Sequence, residues 1–320
     1  MSCPVQFGRR PMKLKVLFLA LIVFFAGAGR ARAAESYSVT GVVLKVDKAK
    51  KTFTASCKEI PGYMDAMVMP YSVRNSRELE GLGPGIMVEF KLVVDKESSH
   101  AEAVRIRGYD SLEQDPLTAR RLRLLNAHSD SPEPEPLAAG QQVPDFALLD
   151  QNGQHVALSQ FAGKVVAITF IYTRCALPNF CFRLSNNFGR LQKRFSDRMG
   201  QDLVLLSISF DPVHDTPEVL AHYGSIWNAD PKGWRLLTGD LSEVQMVSRE
   251  FGMNFWLDEG LMTHSLHTIV IDRSGKLVSN LEGNEFTADQ LGDLVQTEMN
   301  RSRPRSALSE WIARVWHAGE

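Results

Sequence analysis

At 320 residues the chain has room for one large domain or two ordinary ones, and enough mass to bury a substantial core. Its 36 Lys and Arg almost cancel its 37 Asp and Glu, which removes any bulk electrostatic argument for a nucleic-acid partner. Four cysteines are too few for a disulfide scaffold, so each is read by its surroundings.

Residues 1–34 carry the pattern of an export segment: the basic stretch "RRPMKLK", the 14-residue apolar run "VLFLALIVFFAGAG", and "ARA" before Ala34 as a small-x-small cleavage site. The apolar run is short for a spanning helix, which needs about 20 residues, so a cleaved signal is expected ahead of a retained anchor. Either outcome puts the rest of the chain outside the cytoplasm, in the periplasm or at the outer face of a bacterial inner membrane. Cys3 falls in the discarded or cytoplasmic part.

Residues 36–109 read as short strands: "YSVTGVVLKV", "KTFTASC", "AMVMPYSV", "IMVEFKLVV" and "AEAVRIRGY". Turn-forming stretches such as "DKAK", "PGY" and "GLGPG" separate them, which predicts a small all-β barrel or sandwich. A helix is expected at "DPLTARRLRLLNAH", followed by the Pro- and Glu-rich "SDSPEPEPLAAGQQ"; together they make 110–142 the interdomain region.

The second domain is expected over 143–300. "VVAITFIY" and "LVLLSISF" are apolar runs typical of strands buried on both faces. Between them Leu184, Phe188, Leu191 and Phe195 recur at helical spacing, with Gly200 as the stop. Thr216 is a good N-cap with Pro217 at the first helical position. "LHTIVID" and "GKLVSN" predict a late strand pair, and "TADQLGDLVQTEM" a closing helix. Strands alternating with helices indicate an α/β sandwich. The tail at 301–320 reads as an amphipathic helix that buries Trp311, Ile312, Val315 and Trp316.

Cys175 follows the first apolar run and falls in the loop at a strand's carboxyl end, where α/β folds place their sites. Asn179 is a plausible N-cap, which would put Cys181 in the first helical turn, where free amides and the helix dipole lower a thiol pKa. Three readings of the pair compete: a structural disulfide, a thiol redox couple, and a soft metal site of two thiolates plus an imidazole. The redox reading lacks a C-x-x-C motif, since Pro178 stands three residues after Cys175. "MTHSLHTIVID" offers two histidines: His264 in a loop just before a strand, and His267 inside it, where a packed histidine is ordinary.

"PDFALLDQNGQHVALSQFAGKVVAITFIYTRC", "SFDPVHDTPEVL" and "THSLHTIVIDRSGKL" together resemble the SCO/SenC family, in that family's order and across about 143–298. The resemblance implies a thioredoxin-like fold. It also implies a copper metallochaperone for cytochrome oxidase assembly, Cu(I) or Cu(II) as cargo, and the oxidase copper-binding subunit or another periplasmic copper protein as partner. It places the metal ligands on Cys175, Cys181 and His264, with Asp211 and Asp215 beside them. Five residues separate these cysteines where the family usually has three. Two alternatives stay open: a thiol–disulfide oxidoreductase in which Cys175 and Cys181 cycle, and a copper-buffering protein.

In "CKEIPGYMDAMVMPYSV", Met67 and Met69 share one side of a strand, with Met64 and Cys57 upstream. Methionine in a small domain is usually core filler, yet thioethers also select Cu(I). The stretch resembles the CusF-like periplasmic copper-binding domain, an OB-type barrel, over about 36–109. That resemblance implies a second site at Cys57, Met64, Met67 and Met69. Met64 takes the place of the family's tryptophan, and Cys57 lies near its histidine.

Overall fold

A computed structural model describes residues 35–95, 98–108, 135–175, 177, 179–258 and 261–301. The export segment with Cys3, the helix expected at 115–128, the first part of the linker, Pro178 and the tail helix with Trp311, Ile312, Val315 and Trp316 lie outside the described residues. No described helix is long and apolar enough to cross a membrane.

The five strands expected in the first part all form: β1 (Glu35–Asp47), β2 (Thr52–Cys57), β3 (Met67–Ser72), β4 (Met87–Val94) and β5 (Ser99–Ile106). Their order is β3-β2-β1-β4-β5, and a bridge between Val73 and Ala101 joins the two edges. Closing the sheet in this way removes exposed edges and makes a barrel. Phe53, Tyr71 and Phe90 meet in its centre with ring centroids 4.8–5.5 Å apart.

Strand alternation gives β1 two jobs. Val39 and Val43 point into the barrel, while Val42 and Leu44 join the core of the second domain. Polar contacts complete this junction: Ser56 Oγ donates to Asp293 at 2.6 Å, Gln290 Nε2 donates to the Ser56 carbonyl at 2.9 Å, and Arg107 pairs with Glu285 at 3.2 Å. Gly85 adopts φ +83°, and a Cβ there would lie 1.6 Å from Ser279 Oγ. Only glycine allows that approach.

The second domain runs β6 (Ala147–Asp150), β7 (His155–Ala157), β8 (Val165–Ile171), α1 (Cys181–Arg194), β9 (Leu203–Ser209), α2 (Pro217–Ile226), β10 (Trp234–Thr238), α3 (Leu241–Glu250), β11 (Phe255–Asp258), β12 (Leu261–His264), β13 (His267–Ile271), β14 (Leu277–Glu282) and α4 (Ala288–Met299). Seven strands form one sheet in the order β14-β13-β8-β9-β10-β6-β7, with β8, β9 and β10 parallel and β13 antiparallel to β8. This is a thioredoxin-like core flanked by helices. Every residue of β8 and β9 is buried, as their unbroken apolar runs predict. Thr216 and Thr287 cap α2 and α4 with their side chains.

Two helix boundaries differ from expectation. α1 ends at Arg194 with Phe195 as C-cap, short of Gly200, because residues 195–200 turn the chain directly into β9. Its N-cap is Phe180, not Asn179, and no side chain caps it. The Asn179 carbonyl instead accepts a hydrogen bond from Asn284 Nδ2. β10 and α3 went unforeseen, although Asp240 and Glu243 spell the capping box that opens α3.

Candidate metal centre

β8 and β9 pair in register up to Ile171 and Ser209, so the loops leaving their carboxyl ends lie side by side. The first carries Cys175 to the start of α1; the second carries Asp211 and Asp215. Asp215 is fully buried and fastens the two loops together. Its Oδ1 accepts from Thr173 Oγ1 at 2.5 Å, and its Oδ2 accepts from the Thr173 amide at 3.0 Å and from Ser209 Oγ at 2.5 Å. Asp211 accepts from Arg174 Nη2 at 2.7 Å and meets His214 Nδ1 at 2.8 Å. Both aspartates therefore shape the loop around Cys175 and are engaged there rather than free to bind a metal.

Cys175 is half-buried and Cys181 is buried; both are free thiols. Cys175 Sγ lies 3.8 Å from the Leu177 carbonyl, and the Cys181 side chain, the His264 ring and the Cys181 amide at the start of α1 are its other polar neighbours. This polar surround, led by the Cys181 thiol, holds the Cys175 pKa down to about 4 against the opposing effect of burial. The partner thiol moves the other way: the hydrogen bond to Cys175, then burial, push Cys181 up.

The physics expected at the helix N-terminus holds, but its beneficiary is the other sulfur. Cys181 sits in the first turn with its side chain among core residues, and its own amide faces Cys175. Burial, and then the neighbouring Cys175, raise the phenol of Tyr172, just before the loop, to about 12.

His264 stands at the end of β12, in a strand and not in the expected loop. Its Nδ1 lies 2.9 Å from the Ser265 carbonyl, and the ring is buried. His267 is a structural residue of β13, with Nδ1 2.9 Å from Asn280 Oδ1 and Nε2 3.1 Å from Ser265 Oγ.

Cys175, Cys181 and His264 thus come together pairwise, through Cys175. Among the described residues no three His, Cys, Asp or Glu side chains already converge tightly enough to hold an ion. Two thiols and one imidazole are nonetheless the donor types that suit copper, and the lowered pKa of Cys175 favours the thiolate form that a soft metal binds. Two described cavities, of about 220 and 240 Å³, lie away from the cysteines and contain none of these donors.

In the barrel, Cys57 is directly opposite Met67, and Ala55 opposite Met69, so Cys57, Met67 and Met69 share one face of the β2–β3 pair. Met67 is 41% exposed at the rim, while Met64 and Met69 pack against the barrel core. Cys57 is buried, accepts a hydrogen bond from Tyr71 Oη at 3.3 Å, and burial pushes its thiol up to about 11. The methionines form a partly open thioether face, with a protonated thiol behind it.

Sequence comparison agrees with both halves. Residues 134–300 match the SCO1/SenC family model, and residues 36–106 match the model of the copper binding periplasmic protein CusF. The chain is similar to a SCO2-like protein of Rickettsia typhi, 30% identical over 142 residues, covering 42% of this chain and 67% of that one. It is also similar to the protein sco1 of Schizosaccharomyces pombe, 26% identical over 152 residues, covering 45% of this chain and 56% of that one. Among solved structures it is similar to yeast Sco1 with copper bound, at 25% identity and TM-score 0.43, covering 58% of this chain and 99% of that one. A thioredoxin-like sheet with cysteines after β8, and a family model matched over more than half of the sequence, make the chain a member of the SCO1/SenC family, with a barrel that matches the CusF model ahead of that domain.

Proposed function

We propose that this chain is an exported copper metallochaperone that binds Cu(I) through Cys175, Cys181 and His264 and delivers it for assembly of the copper centre of cytochrome oxidase. The observation that carries this reading is the position of the half-buried Cys175 beside both a second, buried cysteine and a buried imidazole, at the mouth of a thioredoxin-like fold. A thiolate is the form that binds a soft metal, so this site needs little proton release to load. The ion would draw the Cys175 loop inward, because Cys181 and His264 are anchored in a helix and a strand.

The barrel supplies a second soft site at Met67 and Met69, with Met64 and Cys57 nearby. A thioether site passes Cu(I) readily to thiolates by ligand exchange, which suits it to loading or buffering. The basic and apolar composition of residues 1–34 supports export to the periplasmic side.

Titration of the reduced protein with Cu(I) against a chromogenic chelator tests the assignment. Wild type should take up copper at both domains, and Cys175→Ser and His264→Ala should each weaken the second-domain site. Unchanged stoichiometry and affinity in both variants would defeat the reading for that domain.

The same thiol pair also favours a second reading, in which Cys175 attacks a disulfide on the oxidase subunit and Cys181 resolves the mixed disulfide. A low-pKa nucleophile beside a buried protonated thiol is the arrangement such exchange requires. Metal-free reductase activity that survives in His264→Ala but not in Cys175→Ser would favour it.

A further inference from the structure

His264 is held by more than its own strand. β12 pairs only with β11, so the hairpin carrying this histidine stands apart from the seven-stranded sheet. Three aromatic rings from other elements close around the imidazole: Phe210 after β9 at 4.7 Å, Tyr172 after β8 at 5.8 Å, and Phe180 before α1 at 6.2 Å between centroids. Phe255 of β11 backs Phe210 at 5.4 Å, and Tyr172 lies 5.2 Å from the Phe210 ring. On the remaining side Nδ1 faces the Ser265 carbonyl. A carbonyl only accepts, so this contact fixes the hydrogen on Nδ1 and leaves Nε2 with the lone pair.

We propose that Phe210, with Tyr172 and Phe180, is the positioning device of His264: the rings fix the imidazole so that only Nε2 can reach an ion held by Cys175. The inference rests on His264 being a copper ligand. Its chemical consequence is selectivity between oxidation states. Both states use the imidazole, but Cu(I), already held by two soft thiolates, gains less from it than the harder Cu(II) does. The aromatic enclosure therefore governs whether this domain also holds Cu(II).

The test is Phe210→Leu in the full chain, read by electron paramagnetic resonance of the Cu(II)-loaded protein and by Cu(II) and Cu(I) competition. The expected result is loss of imidazole nitrogen coupling and about a 10-fold weaker Cu(II) affinity, the lower end for partners that orient a ligand, with a smaller loss of Cu(I) affinity. A readout without metal accompanies it: two-bond proton–nitrogen correlation spectra at pH 8 should show one Nδ1–H tautomer in wild type and a mixture in the variant.

Wild-type nitrogen coupling, Cu(II) affinity and tautomer in Phe210→Leu would overturn the proposal. If that variant does not fold, Phe255→Leu, at a partly exposed position behind Phe210, should shift the same signals less strongly, and no shift would equally overturn it. His264→Ala serves as the control: retention of the nitrogen coupling there would remove His264 as a ligand, which is a failure of the parent reading and is recognised as such.

Discussion

Removing the Asp215 carboxylate should cost more stability than any other single change near the metal loop. Three donors converge on it: the Thr173 amide, the Thr173 hydroxyl and the Ser209 hydroxyl. Hydrogen bonds to a charged group contribute about 1.5–3 kcal/mol each, and a buried donor left without a partner bears its full desolvation cost. The two hydroxyls can rotate toward other acceptors, while the amide cannot. Relief from burying a carboxylate offsets part of the loss, so Asp215→Ala is expected to cost about 3–5 kcal/mol.

Asp215→Asn makes a sharp contrast. Its oxygen can replace Oδ2 and accept from the amide and Ser209, and its NH₂ can donate to the Thr173 hydroxyl, which then acts as acceptor. That variant should lose only about 1 kcal/mol. Urea unfolding followed by circular dichroism measures both. Equal stability of the two variants, or a loss below about 1 kcal/mol for alanine, would refute the reasoning. Because Thr173 lies two residues before Cys175, Cu(I) affinity should fall in Asp215→Ala and persist in Asp215→Asn.

Alkylation by iodoacetamide in the native protein should modify Cys175 alone among Cys57, Cys175 and Cys181. A depressed pKa keeps the thiolate present above about pH 4 and removes it as pH falls through that value, so labelling should continue well below pH 7; mass spectrometry of tryptic peptides reads the site. Gly85→Ala should destabilise the chain by about 1–3 kcal/mol through its left-handed backbone alone. Ser279→Gly should restore only the steric part, as thermal unfolding of the double variant would show. Substituting Met67 and Met69 together by alanine should lower Cu(I) uptake by one equivalent without moving the second-domain affinity, and a retained equivalent would assign that copper elsewhere.

Much of this protein was legible before any coordinates. The alternating barrel strands, the fully apolar β8 and β9, the Thr216 and Thr287 caps and the two thiols at a strand's carboxyl end are local patterns, and local patterns are what a sequence displays. Family blocks around Cys175, Asp211 and His264 suggested the ligand set that is proposed above. The Asp240 capping box makes α3 readable from the sequence as well.

Tertiary structure decided the rest. Which thiol is the more acidic depends on the Cys181 side chain and on the His264 ring, which the fold brings to Cys175 from far along the chain. Asp215 became the clasp between two loops only because β8 and β9 end in register. The barrel's docking through Val42, Leu44 and Gly85, and the rings around His264, likewise join segments that no periodicity connects. A sequence states which side chains want burial or a partner; only the packed sheet determines which partner each one meets.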